Sequence, residues 1–500
     1  MATILGSGMV FVDGSVVNIA LPVVQRELQA TLSQAQWVVE AYVLFLASLL
    51  LVGGALSDRL GRRPSFAAGI GVFTLASLGC GLAPDIQTLI AARVGQGVGG
   101  ALLVPNSLAL LRAAFSDRQR GRAVGTWSSG IAISSALGLV VGGWIVDHGS
   151  WRWVFFLNAP LALVVLSVVY WRIPDSPVGA PVGKLDWPGA LLVTLGLGSL
   201  VYGLLEAPQL GFRHPFVFGA LTLSAGVLAG FLLVERSSPA PMLPLGLFRS
   251  RTFRGVNLLT LLLYAALGGS LFFLPFCLIQ VHGYSATQAG AAFLPMSAIM
   301  FTGSRWAGGL VARYGARRPL LIGPCVAAGG YAVLALLGHE SRYWSGFFPG
   351  IVVVATGMMI TVAPLTSTVL GAVDQRYAGL ASGLNSAVSR TASLLAIAVL
   401  GIVAVSVFNA QLDRRLDALQ VPAHIRHQLD VERAKLAAAQ APAGSDEQLR
   451  SALEGAIDDS FVTSFQWLMA IASGLALLSA GSVWWLIEDT GPDHTDVSLT

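Results

Sequence analysis

Charge is scarce in this chain: Asp, Glu, Lys and Arg make up 11% of 500 residues, against 55% hydrophobic, and the mean hydropathy is +0.71. Soluble domains carry about a quarter charged residues, so there is too little polar surface here to coat a water-soluble globule. Cysteine is scarcer still. Cys80, Cys277 and Cys325 fall at no spacing used by metal sites or redox pairs, which excludes a disulfide framework and a zinc fold. The seven His are scattered, mostly in loops, and no H-E-x-x-H, G-x-S-x-G or P-loop pattern occurs. Neither a membrane enzyme nor direct nucleotide coupling is therefore expected. The net charge of +4 and pI of about 9.1 do not point to nucleic acid, because the basic residues sit in short loops between apolar runs, where topology explains them.

What the chain has in abundance is apolar blocks of about twenty residues, the length a helix needs to cross a hydrocarbon core of about 30 Å. Fourteen candidate spans follow, near 2–24, 36–56, 65–83, 87–111, 123–146, 154–171, 188–206, 215–234, 254–281, 287–311, 319–338, 345–369, 379–408 and 461–487. The first lacks a basic lead and a small-x-small cleavage site and carries Asp13, so it reads as a span rather than a signal peptide. Arg59, Arg62 and Arg63, then Arg112, Arg118, Arg120 and Arg122, then Arg313, Arg317 and Arg318 all follow even-numbered spans, whereas the short odd loops hold only Arg26, Arg152, Arg213 and Arg342. That bias places both termini in the cytoplasm of a plasma (inner) membrane protein. The long loop 409–460 then lies outside, with helical patches broken by Pro422, Pro442 and Gly444. It caps the outward opening, docks a periplasmic adaptor, or is a solvated hairpin.

An internal repeat is present. Gly54-Ala55-Leu56-Ser57-Asp58-Arg59-Leu60-Gly61-Arg62-Arg63-Pro64 follows span 2, and Gly308 to Pro319 follows span 10 with Ala312 in place of the acid. Both copies end an even span, so the repeat is parallel, and eight spans separate them. Two six-helix halves with two extra helices between them are expected: a bundle at 1–172, a linker with two spans at 173–253, a second bundle at 254–487, and a tail at 488–500.

The first copy resembles the loop motif G-x-L-x-D-R-x-G-R-R/K of the major facilitator superfamily. Gly54 and Gly61 suit a tight turn, Asp58 suits a cap or a guanidinium partner, and Arg59, Arg62 and Arg63 anchor the cytoplasmic face. Asp13-Gly14-Ser15-Val16-Val17-Asn18-Ile19-Ala20-Leu21-Pro22 in span 1 resembles the signature of the fourteen-span drug:proton antiporters, the QacA/EmrB-like branch. Arg93-x-x-Gln96-Gly97-x-Gly99-Gly100-Ala101, Trp151 to Pro160, Asp186-Trp187-Pro188-Gly189, and Asn385 with Arg390 are similar to further motifs of that branch. In span 5, Gly138, Gly142 and Gly143 match the antiporter motif, but Leu139 stands where the family has proline.

The resemblance implies an all-α major facilitator fold and proton-coupled export of small hydrophobic or cationic compounds by alternating access. It implies a proton gradient as the energy source, no cofactor, and small-molecule substrate and protons as partners. A dedicated exporter of one metabolite and a non-transporting sensor are the other readings. Intramembrane charge is costly and usually functional. Asp13 lies about eleven residues into span 1, roughly 17 Å at 1.5 Å per residue, near the midplane. It reads as the proton carrier or, less sharply, as a carboxylate bonded to a neighbouring helix. Arg93 shares a helical face with Gln96; the resemblance ties it to proton transfer, the alternative being a hydrogen-bond anchor. Glu40, one turn inside span 2 as predicted, is a vestibule proton site or an interface residue, and Arg390 is the second half's analogous charge. Asn18 joins these candidates through its signature. Tyr42, Phe45, Trp127, Tyr264, Phe272 and Phe276 offer apolar and cation–π surface for substrate, or are packing.

Overall fold

The computed structural model describes residues 2–114, 117–172, 186–238, 243, 245–374, 377–442 and 446–487. Among them regular structure is helical throughout: α1 Ala2–Glu27, α2 Leu32–Leu60, α3 Arg62–Leu82, α4 Ile86–Ala114, α5 Asp117–His148, α6 Arg152–Phe156, α7 Asn158–Arg172, α8 Trp187–Leu210, α9 Pro215–Ser237, α10 Arg251–Phe276, α11 Ala286–Ala291, α12 Leu294–Gly308, α13 Leu310–Tyr314, α14 Arg317–Ala335, α15 Phe348–Gly371, α16 Ala378–Ala418, α17 Ala423–Glu432 and α18 Glu447–Leu486. A backbone in lipid must satisfy its own N–H and C=O groups, which long helices do. Twelve helical stretches among the described residues are long and apolar enough to cross a membrane. The fifth and tenth predicted segments are helical without meeting that measure. Among the described residues of α5 the apolar stretch is Ile133–His148, and residues 286–314 are divided among α11, α12 and α13.

Two compact units emerge. One holds Met1–Leu243, Leu271–Phe293 and Ile397–Phe465; the other holds Pro244–Ser270, Leu294–Ala396 and Gln466–Thr500. In the first, α4 packs on α2 and α3, α1 on α5, α8 on α9, and α11 against α5. In the second, α15 packs on α14 and α12.

The helical patches expected within the loop 409–460 are present. Helix α16 runs on to Ala418 and α18 starts at Glu447, because polar and apolar residues there keep a helical period after leaving the predicted apolar block. Ion pairs bind the segment together: Arg415 to Asp459 at 2.7 Å, Arg433 to Asp413 at 2.7 Å, and Lys435 to Glu432 at 2.7 Å. It is also docked. Lys435 donates through Nζ to Gln29 Oε1 at 2.7 Å, and Gln25 Nε2 donates to the Lys435 carbonyl at 3.2 Å.

The internal repeat is visible in backbone and side chain alike. Gly61 sits at φ +93° between α2 and α3, and Gly315 at φ +72° between α13 and α14, a region open to glycine without strain. Two residues after each glycine comes an arginine with the same task. Arg63 donates to the Tyr170 carbonyl at 3.2 Å and stacks 5.0 Å over its ring, while Arg317 donates to the Trp484 carbonyl at 2.9 Å and stacks 4.6 Å over that ring. Arg59 and Arg62 are half-buried, and Gly54 sits in ordinary contact with Pro105. The side chains of Asp58 and Ala312, like the tail 488–500, lie outside the described residues.

Candidate functional site

Helices α1, α4 and α7 bring one carboxylate, one guanidinium and two amides together inside the first unit. Asp13 is 2% exposed and Arg93 1% exposed. Two opposite charges so buried persist only when paired and hydrogen-bonded. Arg93 donates through Nη1 to Asp13 Oδ2 in a short charge-assisted bond, and also to Gln96 Oε1 at 2.7 Å. Gln96 Nε2 donates to Asp13 Oδ1 at 3.0 Å, and Asn158 Nδ2 reaches the same oxygen at 3.4 Å. The sequence places Arg93 and Gln96 three apart on one helix, so both point at the same carboxylate.

Arg93 has a second set of contacts independent of that charge. Its Nε donates to the Val38 carbonyl on α2 at 2.9 Å, and its guanidinium lies 4.2 Å from the centre of the Tyr42 ring. Tyr42 is fixed by its own hydroxyl, which donates to the Val10 carbonyl at 3.1 Å. Two of the arginine's contacts are thus independent of the carboxylate. Behind the amides, Cys80 Sγ donates to Gln96 Oε1 at 3.2 Å, and Asn158 donates to Ser77 Oγ at 2.9 Å, which donates to the Phe155 carbonyl at 2.8 Å. Beside Asp13 is a cavity of about 190 Å³ between α1, α5 and the α6–α7 stretch.

Of the predicted residues, Asp13, Arg93 and Gln96 meet. Tyr42 joins them as the aromatic face over Arg93, a role its spacing did not reveal. Asn158, which lies in the Trp151 to Pro160 motif but is not among the expected site residues, completes the carboxylate's surroundings, and Cys80 is bonded to Gln96. Glu40 lies deeper than predicted. Helix α2 starts four residues before the expected end, at Leu32, because Thr31 and Gln34 form a capping box. Glu40 is thus two turns in and fully buried, and neither carboxylate oxygen has a hydrogen-bond partner, so it belongs to no vestibule. Asn18 is half-buried on α1, with its side-chain oxygen unpartnered. Arg390 is half-buried on α16 in the other unit, as is Tyr264 on α10, whose carbonyl accepts from Ser393. Asn385 bonds Asn257 at 3.2 Å and Thr260 at 2.7 Å there. Phe272 and Phe276 are buried with ring centres 5.3 Å apart. Phe45 and Trp127 are half-buried.

The span-5 glycines do what close approach requires. A Cβ on Gly142 would stand 2.2 Å from Val16 of α1, and one on Gly143 would stand 2.3 Å from the Ala286 carbonyl. Next to them Asp147 accepts from the amides of Ala286 and Thr287, each at 2.8 Å, and from Thr287 Oγ1 at 2.5 Å, capping α11. Among the described residues no cluster of His, Cys, Asp and Glu suits a metal ion.

Comparison with known proteins gives the family and the fold. The Major Facilitator Superfamily profile matches residues 3–397. Multidrug resistance protein Stp of Mycobacterium tuberculosis is 35% identical over 418 residues, covering 83% of this chain and 77% of that one. The tetracenomycin C resistance and export protein of Streptomyces glaucescens is 30% identical over 484 residues, covering 96% and 89%. In fold, the chain is similar to an inward-facing bacterial homologue of the human lysosomal transporter Spinster, with TM-score 0.66 and 17% identity over 97% of this chain and 96% of that one. A D-xylose–proton symporter gives TM-score 0.61 and 16% identity, covering 98% of each. A match along most of the chain, with relatives this similar, shows that the chain belongs to the Major Facilitator Superfamily, a family of membrane transporters and not of enzymes.

Proposed function

We propose that this transporter is a proton-coupled exporter of small hydrophobic or cationic compounds, of the fourteen-span drug:proton antiporter branch. Its two six-helix bundles, 1–172 and 254–487, rock about a midplane site with the helices of 173–253 between them, both termini being cytoplasmic in the inner membrane. The proton gradient supplies the energy, with no cofactor. The observation that carries the reading is the Asp13–Arg93 pair, sealed from water within the first unit. When Asp13 takes up a proton, its attraction for Arg93 falls, and the guanidinium is retained by Val38 and Tyr42. A cationic cargo and a proton then compete for one carboxylate. Glu40, buried without a partner, serves as a second protonation site. The docked segment around α17 caps the outer opening or receives a periplasmic adaptor.

The test is release of protons when drug is added to vesicles containing the purified protein and a pH gradient. Wild type collapses the gradient and Asp13→Asn does not; a wild type silent across a broad drug panel overturns antiport. A dedicated exporter of one antibiotic is favoured by one observation, the 30% identity across 96% of this chain to a protein named for tetracenomycin C export. Resistance of cells with and without the gene to a panel of toxic compounds separates a single protected compound from many.

A further inference from the structure

The second unit gathers positive charge at one end. Arg317 and Arg318 open α14, Arg251 and Arg254 lie in the first turn of α10 just after Arg249, and Arg313 stands in the last turn of α13. Tertiary contacts bring α14 and α10 to the last turn of α18. Arg317 bonds the Trp484 carbonyl and lies on its ring, and a Cβ on Gly255 would stand 2.8 Å from Leu486. Five of the six arginines are exposed, Arg317 being half-buried. Even with Asp374 after α15 and Glu488 and Asp489 directly beyond α18 counted, three positive charges remain in excess.

Topology accounts for arginines in such loops, but it does not call for a guanidinium laid on an aromatic ring, and that pairing is made twice. In the first unit Arg63 lies on Tyr170, and the next residue, Trp171, is 88% exposed; in the second Arg317 lies on Trp484, and the next residue, Trp485, is 81% exposed. A ring holds the guanidinium in place without using its N–H groups. Among the described residues Arg317 gives one N–H to the Trp484 carbonyl, and its covered Nε has no hydrogen-bond partner. Exposed indoles mark the boundary between acyl chains and headgroups, and the anion at that depth is a lipid phosphate.

We propose that the end of α18, with Arg254, Arg317 and Arg318 around Trp484 and Trp485, is a binding site for the phosphodiester headgroup of an anionic phospholipid. Guanidinium groups suit phosphate oxygens in paired hydrogen bonds, and the exposed indole offers its face to the glycerol and the upper acyl chain. The site goes beyond the export reading and does not depend on it. Its leaflet, the cytoplasmic one, follows from the orientation proposed above.

The test uses the full chain in mild detergent, stripped of lipid and titrated with dioleoyl phosphatidylglycerol or dioleoyl phosphatidylcholine, with bound lipid counted by native mass spectrometry. Phosphatidylglycerol is expected to bind about tenfold more tightly than phosphatidylcholine, and Arg254→Gln and Arg318→Gln each to weaken it about fivefold. Both arginines are exposed, so the variants are expected to keep the wild-type melting temperature. Arg342→Gln removes an exposed arginine beyond the far end of α14 and is expected to leave phosphatidylglycerol binding unchanged. Equal binding of the two lipids, binding of neither, or an equal loss with Arg342→Gln overturns the site. Trp485→Leu keeps apolar bulk without the indole and is expected to weaken phosphatidylglycerol while sparing phosphatidylcholine; no effect on either counts against the aromatic contact. An excess of soluble glycerol phosphate separates the two sources of the anion. Lipid that stays bound supports the headgroup site in the membrane, and lipid displaced by it would assign the arginines to a free phosphate instead.

Discussion

Asp13 and Arg93 are each surrounded by partners of unequal importance, and substitution separates them. Arg93→Ala leaves a buried carboxylate without its cation, a loss of about 3–5 kcal/mol for a broken buried pair. Asp13→Asn costs less, because Gln96 and Asn158 still bond the side chain and Val38 and Tyr42 still hold the guanidinium. Thermal unfolding in detergent should therefore rank wild type above Asp13→Asn and Asp13→Asn above Arg93→Ala; the reverse order of the variants would contradict the network. Tyr42→Phe keeps the ring over Arg93, whereas Tyr42→Leu gives up a cation–π contact of about 2 kcal/mol in a desolvated site. At this scale the sequence made Asp13 conspicuous, since an acid in the middle of an apolar run has few structural uses, and helical spacing joined Arg93 to Gln96. It could not join either to Asp13, eighty residues away, nor find Asn158, which stands in an aromatic-rich segment with no charge to mark it.

Between elements, fit is set by small side chains and by caps. Gly142→Val inserts bulk where Val16 of α1 already stands, and overpacking of this kind costs about 1–3 kcal/mol; a reduced folded yield and a lower melting temperature are the expected outcome. Asp147→Ala removes the acceptor of the first two amides of α11, at a cost of about 1 kcal/mol, and hydrogen exchange at residues 286–291 should quicken while α3 stays protected. Unchanged exchange there would mean that α11 does not depend on the cap. At the start of α4, the Thr88 amide donates to Asp85 at 2.8 Å and holds that exposed carboxyl below its ordinary range. A depressed value means the contribution is present above the unfolded carboxyl's value and is lost as pH falls through the lowered one. The first turn of α4 should accordingly exchange faster in acid, and Asp85→Asn should remove that pH dependence. Helix ends were the least legible feature in the sequence. Capping by Thr31 starts α2 four residues before its apolar block, and α16 carries on ten residues past the end of its own at residue 408, through a stretch legible only as a helical patch.

Across the whole molecule, the repeat makes a quantitative claim. Arg63 closes its copy on Tyr170 and Arg317 closes the other on Trp484. The destabilisation of the double alanine variant should therefore equal that of the two single variants together, within about 0.5 kcal/mol; a larger discrepancy would show that the two copies are coupled. The sequence by itself determined that this is a helical membrane protein, which loops carry the positive charge, and that one motif recurs after spans 2 and 10. Those properties are local: span length, hydropathy and glycine turns are written in runs of adjacent residues. Only the tertiary structure decided which buried groups face one another, and which glycines touch α1 and which touch α11. These depend on helices distant in the chain meeting at close range, and no local pattern encodes which side chains then come within hydrogen-bond reach.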